Sequence, residues 1–377
     1  MPRPARFLLQ GVPRVQFHPG GSRCPEDIPL PACLRACLAY LDDSRFGCRH
    51  ESGCNPGCLV TCSYSHCIGV SGAASFLSWG PGWREDGLDI RRSSEDPDDP
   101  FRVALAGVGY GCDLLRTSVH DEAACRAAVI ESLCVRRRPV LALGLVGPPE
   151  SCLVTGYDEG GDVLIGWSFF QEMPPFTDGV EYEPSGEFRV RGWHARSEAL
   201  VLVGDRLPDF SPRSACLGAL ARMVRIARTP ATRGGLAVGL AAYAAWADVL
   251  RADDPVFARG EEATVRGRFH IHDSTVGFLA ECRWYGSQFL IQVSDDRAIH
   301  HRLTEALLRA AACYAGEHAL MWDAWGLTGG IGNPEGYRKL SEPSVRHALA
   351  DVILRARDLD AEATAHIEAA LTRPEAR

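Results

Sequence analysis

The densest run of reactive side chains lies between Cys48 and Cys67, where Cys48, Cys54, Cys58, Cys62 and Cys67 are joined by His50 and His66. Thiolate and imidazole are ligands that zinc prefers, and the intervening Gly and Pro residues let a chain turn around an ion. Cys48, Cys54, Cys58 and Cys62 could thus hold a structural zinc. Their spacing matches none of the usual CxxC-based frames, so density is the whole of the signal, and free thiols are the commoner explanation of such a stretch. No other cofactor is expected. His270 and His272 flank Ile271 ahead of Asp273; a helix entrance capped by Asp273 gives them surface or capping roles. His300-His301 reads as a polar turn. Gly329-Gly-Ile-Gly-Asn-Pro-Glu-Gly336 lacks the Lys-Ser/Thr that completes a phosphate loop, and reads as a connection between helices.

The elements that must position such groups change character along the chain. Leu34, Cys37, Leu38 and Leu41 recur at helical spacing behind Asp27 and two prolines, which predicts a buried amphipathic helix over 31–41. The small residues of Gly69-Val-Ser-Gly-Ala-Ala-Ser75 permit close packing of the backbone. A helical pattern runs to Ala106 and another covers 122–135. Short apolar runs follow at 139–146, 152–157, 163–170, 186–190 and 199–203, each bounded by Gly or Pro, as strands are. Asp158-Glu-Gly-Gly-Asp162 suits a hairpin turn between two of them. Gly204 to Pro212 is rich in turn formers and reads as a linker. Beyond it, Leu236, Leu240, Tyr243, Ala247 and Leu250 form one helical stripe, and Leu303, Leu307, Ala310, Ala311 and Tyr314 another. Further helices are expected at 215–228, 273–291, 343–356 and 360–371. The fold class is α+β for residues 1–207, followed by an all-α domain over 213–377.

Composition narrows the function classes. A formal charge of −8 and only a short basic tract, Arg136-Arg137-Arg138, give no electrostatic footprint for nucleic acid. No stretch approaches the ~20 apolar residues of a membrane span, and the N-terminal apolar step is too short for a signal-peptide core. A cytoplasmic setting is expected, in which 15 cysteines, an odd number, are mostly reduced.

Leu153-Val-Thr-Gly-Tyr-Asp158 followed by Val163-Leu-Ile165 resembles the sheet of papain-like enzymes of the bacteriocin double-glycine peptidase type. Gly69-Val-Ser-Gly-Ala-Ala74 and Gly239-Leu-Ala-Ala-Tyr-Ala-Ala-Trp246 resemble the butirosin biosynthesis protein H family, which joins a papain-like domain to a helical one. This resemblance implies a thiolate at a helix N-terminus attacking a carbonyl, with a histidine on the sheet moving the proton. Carried over by position, the nucleophile falls at or near Pro29, with Cys33 the nearest thiol. The histidine falls on Glu150 and its orienting acid or amide on Trp167, so the usual triad is degenerate.

Two functions follow. Cys33 with Glu150 as base, or Cys152 from the sheet side, could perform acyl transfer or amide hydrolysis on an acyl or peptide-like substrate, with an acyl carrier protein as a possible donor. Alternatively the chain is a catalytically silent relative that keeps its cleft. Lined by Glu150, Tyr157, Trp167, Trp79 and Trp83, such a cleft would take a small molecule or peptide-like ligand of amphipathic or cationic character.

Overall fold

The structure, a computed structural model, describes residues 3–18, 25–41, 43, 62–84, 88–231, 234–295 and 301–372, and at 301 and 302 the backbone alone. In chain order the elements are β1 (Phe7–Leu8), α1 (Pro29–Tyr40), α2 (Ser63–Ser71), β2 (Ser78–Trp79), α3 (Asp99–Gly107), β3 (Tyr110–Arg116), α4 (Glu122–Ile130), β4 (Val140–Leu143), β5 (Ser151–Asp158), β6 (Val163–Trp167), β7 (Glu181–Tyr182), β8 (Phe188–Arg191), α5 (Trp193–Arg196) and β9 (Ala199–Arg206). They continue as α6 (Pro212–Arg228), β10 (Ala237–Val238), α7 (Leu240–Arg251), α8 (Pro255–Arg259), α9 (Glu262–Asp295), α10 (His301–Thr328), α11 (Gly336–Leu340) and α12 (Pro343–Thr372). The chain is thus mixed, with an antiparallel sheet and a helical C-terminal region.

Two compact units emerge, Met1–Cys67 with Phe101–Pro212, and Ile68–Pro100 with Arg213–Arg377. The segment 68–100, which the sequence places with the sheet, packs instead with the later helices. Its small residues explain this: a Cβ on Gly69 would fall 2.3 Å from the Phe289 ring of α9, and one on Gly72 would fall 2.8 Å from Ile226 of α6.

In the first unit the sheet runs β3-β9-β4-β5-β6-β8-β7, with β1 also pairing β5. β4, β5 and β6 are apolar on both faces and almost wholly buried, as central strands covered on two sides must be. Between β5 and β6 the Asp158 carboxylate accepts from Glu159 N–H, and Gly160 (φ 67°) and Gly161 (φ 98°) supply the left-handed turn. α4, widening into a π-helical turn at Glu131–Val135, lays Cys125, Val129 and Leu133 among Val140, Cys152, Val154, Tyr157 and Leu164. α1 lies along β5. It carries Pro at its start and buries Leu30, Cys33, Leu34, Cys37 and Leu38. β3, an outer strand paired with β9, falls where the sequence shows no strand signal.

In the second unit α7, α9, α10 and α12 bury Tyr243, Trp246, Val276, Leu279, Met321, Leu349 and Ile353 in one core. The helices expected at 343–356 and 360–371 are one helix, since Arg357-Asp-Leu-Asp360 contains no breaker. Likewise α9 begins eleven residues before Asp273, so Asp273 lies inside a helix and caps nothing; its carboxylate accepts from Trp325 Nε1 at 2.9 Å. Among the described residues no helix is long and apolar enough to cross a membrane.

Candidate functional site

In the first unit, α1 and the start of β5 bring Cys33, Glu150 and Cys152 into one neighbourhood. Cys33 is the fifth residue of α1, past the first turn, so the free N–H donors of the helix N-terminus lie below it rather than at its thiol. Its Sγ donates to the Ser151 carbonyl at 3.6 Å, and the residue has no exposed surface. Burial pushes its thiol well above its ordinary value, and the proximity of Cys37, Cys152 and Glu150 pushes the same way. Cys37, equally buried, is pushed up to about 12. Cys152 donates to the Val146 carbonyl at 3.5 Å; burial raises it too, against hydrogen bonds from Val146 and Ser168 that lower it. Glu150 is half-buried at the entrance to β5, its backbone tied to Pro148 and Gly144. Arg35, the cation two residues from Cys33, is engaged with Glu26 at 2.5 Å. The thiols are gathered and held protonated.

Of the other residues expected around this centre, Trp167 pairs with Leu153 across β5 and β6 and so stays one residue from Cys152. Tyr157 is fully buried and donates to the Pro4 carbonyl at 3.2 Å, its hydroxyl pushed up to about 12 by burial and by Cys134. Trp167, 7% exposed, sits under the Arg14 guanidinium at 5.0 Å, with Ser168 behind it fixed to Val146 O and Gln171. Trp79 and Trp83 belong to the second unit. Cys62 is buried, whereas Cys48, Cys54 and Cys58 lie outside the described residues.

The second unit contains a cavity of about 480 Å³ lined by Trp83, Asp254, Arg268, Gly267, Ile271 and Val249 among others. Trp83 is braced edge-on by Trp79 at 5.5 Å and Phe257 at 5.7 Å, and Trp79 stacks on Trp246 at 5.3 Å. Asp254 caps α8 through Val256 N–H at 2.9 Å and pairs with Arg268. Burial alone would raise this carboxyl, but Val256 and Arg268 hold it below its ordinary value. Arg268 also lies over the rings of Phe257 (5.1 Å) and Trp83 (5.8 Å). A Cβ added to Gly267 meets nothing within 4 Å, so α9 opens to the cavity there. The site therefore offers an aromatic wall, an oriented guanidinium and apolar flanks, which suits an amphipathic small molecule.

Two further polar centres lie in this unit. Arg283, fully buried, binds Glu317 at 3.1 Å, Asp360 at 2.8 Å and the Ala74 carbonyl at 2.6 Å, and Tyr243 bridges both carboxylates. Burial pushes Glu317 up to about 8 despite Arg283. Nearby, ligand atoms of Cys313, Glu362 and His366 lie within 4.8 Å of one another; burial and the carboxylates of Glu362, Glu317 and Asp360 push Cys313 up to about 11. His272 corrects a surface assignment: it is 1% exposed beside Trp246, neither ring nitrogen has a partner, and burial lowers it to about 3.

Arg268, Asp254, Glu362 and His366 were missed at the sequence level, where each is an ordinary charged position on a helix or cap. Only the i,i+4 spacing of Glu362 and His366 was there to find. Compared with models of protein families the chain matches none, and no curated protein matches it either.

Proposed function

We propose that this protein binds a small acyl or peptide-like molecule without transforming it, as a papain-like relative with a degenerate triad. The cavity around Trp83 and Arg268 carries this reading. A carboxylate or carbonyl of the ligand would accept from Arg268, and its apolar body would lie on Trp83. Asp254 engages Arg268 at Nη1 and is itself occupied by that bond and by Val256 N–H, which favours a ligand that accepts from the rest of the guanidinium over a free amine. The papain-like part rests on the thiol-bearing α1 lying along β5 of the antiparallel sheet, since the family resemblance implies a helix thiol working against a group on the sheet. Thermal-shift screening with acyl compounds, short peptides and amines tests it. Saturating ligand at ~100 Kd adds about 2.7 kcal/mol, and hence a Tm shift of several degrees. Gly267→Leu should fill the cavity and remove that shift. Silence across the library, or a shift that survives Gly267→Leu, would overturn the proposal.

A second reading is favoured by one observation, the convergence of Cys33, Glu150 and Cys152. Here Cys33 would pass its proton to Glu150 and attack a carrier thioester or an amide, forming a thioester at Sγ while the carrier thiol or the amine leaves with that proton. Native protein that reacts with a chloroacetamide probe at Cys33 faster than denatured protein would establish it in place of silent binding.

A further inference from the structure

We propose that Cys313, Glu362 and His366 form a zinc site joining α10 to α12. Glu362 and His366 are one turn apart on α12 and so share a face, with His366 Nε2 3.5 Å from Glu362 Oε1. Tetrahedral zinc with bonds of about 2.0 to 2.3 Å holds its ligand atoms roughly 3.3 to 3.7 Å apart. The carboxylate and imidazole already have that separation. The thiol, within 4.8 Å of both, reaches it by closing at most about 1 Å, a side-chain adjustment. The two helices approach closely beside it: a Cβ on Gly316 would lie 3.2 Å from Leu359.

The donor set selects the ion. Magnesium and calcium take oxygen ligands, whereas one thiolate, one imidazole and one carboxylate suit a borderline-soft cation. Glu317, one turn from Cys313, is committed to Arg283 and Tyr243, and neither it nor Asp360 brings an oxygen within 4.8 Å of all three ligand atoms. Three protein ligands leave a fourth position for water or a small donor. The Glu362 side chain is 61% exposed and that of His366 24%, which gives an ion a path from solvent. None of the three residues lines the Trp83 cavity, so this site stands whether or not that cavity binds a ligand.

Full-length protein stripped by chelator is titrated with Zn²⁺ by calorimetry, and with Co²⁺ by absorbance, where a thiolate ligand produces a charge-transfer band. Because the Cys48–Cys67 stretch also carries thiols, the informative quantity is the difference between wild type and variants. Glu362→Gln and His366→Gln, at partly exposed positions of a long helix, should each bind one equivalent fewer or at least tenfold more weakly. Cys313→Ser should lose the corresponding part of the cobalt–thiolate band. Zinc should raise the Tm of wild type more than that of Glu362→Gln. Equal stoichiometry, affinity and Tm response in wild type, Glu362→Gln and His366→Gln would overturn the site, as would a wild type that binds no zinc.

Discussion

The two units bury reactive groups in opposite ways. Around Cys33 the first unit gathers thiols whose neighbouring cation, Arg35, is engaged with Glu26, and desolvation keeps them protonated. Around Arg283 the second unit buries a full charge and surrounds it with two carboxylates, a tyrosine and a backbone carbonyl. Burial silences a nucleophile when no opposite charge accompanies it, whereas a buried ion survives because its partners are buried with it. Chemistry in the first unit therefore needs a rearrangement that brings a cation or solvent to Cys33. The second unit has charge and open volume in place.

The largest effect should come from breaking the charged centre. Arg283→Ala leaves Glu317 and Asp360 facing each other without a cation and should cost about 3 to 5 kcal/mol in denaturant unfolding. Arg283→Met combined with Glu317→Gln and Asp360→Asn should recover much of that; failure to do so would show that Arg283 acts through packing.

Protonation sharpens the contrast next. His272 has a folded value near 3 against 6.5, so its contribution is present above about 6.5 and is lost as pH falls toward 3. The slope should approach about 1.4 kcal/mol per pH unit. His272→Leu should flatten this acid limb. Glu317 has the opposite sign: its raised folded value makes stability fall as pH rises from 4.5 to about 8, and Glu317→Gln should remove that decline. Stability curves between pH 3 and 9 test both.

Cys33→Ala should cost only about 1 kcal/mol and leave ligand-induced thermal shifts unchanged. A variant that keeps its stability but loses acyl transfer would reverse the comparison. The smallest effects concern glycines. Gly267→Ala, inside α9 with open space at its Cβ, should stabilise by about 0.5 to 1 kcal/mol. Gly156→Ala, whose Cβ would fall 2.6 Å from the Phe7 carbonyl, should destabilise. Equal effects in melting experiments would show that the close approach of β1 to β5 matters less than its geometry implies.

Local pattern made much of the architecture legible. The hairpin at 158–162, the strands around it and the helical stripes are written in spacings of two and of 3.6, and the structure carries them except at Leu236, which precedes β10 while α7 begins at Leu240. β3 escaped because Tyr110 to Arg116 is only partly buried and its pairing with β9 spans some ninety residues of chain. Placing 68–100 with the sheet failed for a related reason: Gly69 and Gly72 announce close packing but not the partner. At the candidate sites, Trp83 was singled out for its ring, while Arg268 and Asp254 carried no distinguishing signal.

By itself, then, the sequence determined the central strands, most of the helices and the change from strands to helices near 207, because each depends on residue type and short-range period. Tertiary structure alone decided that Cys33 is sealed, that Trp83 shares a cavity with Arg268, and that Cys313 meets Glu362 and His366. Desolvation, cavity volume and ligand geometry depend on side chains brought together from distant parts of the chain, and no local pattern encodes which ones meet.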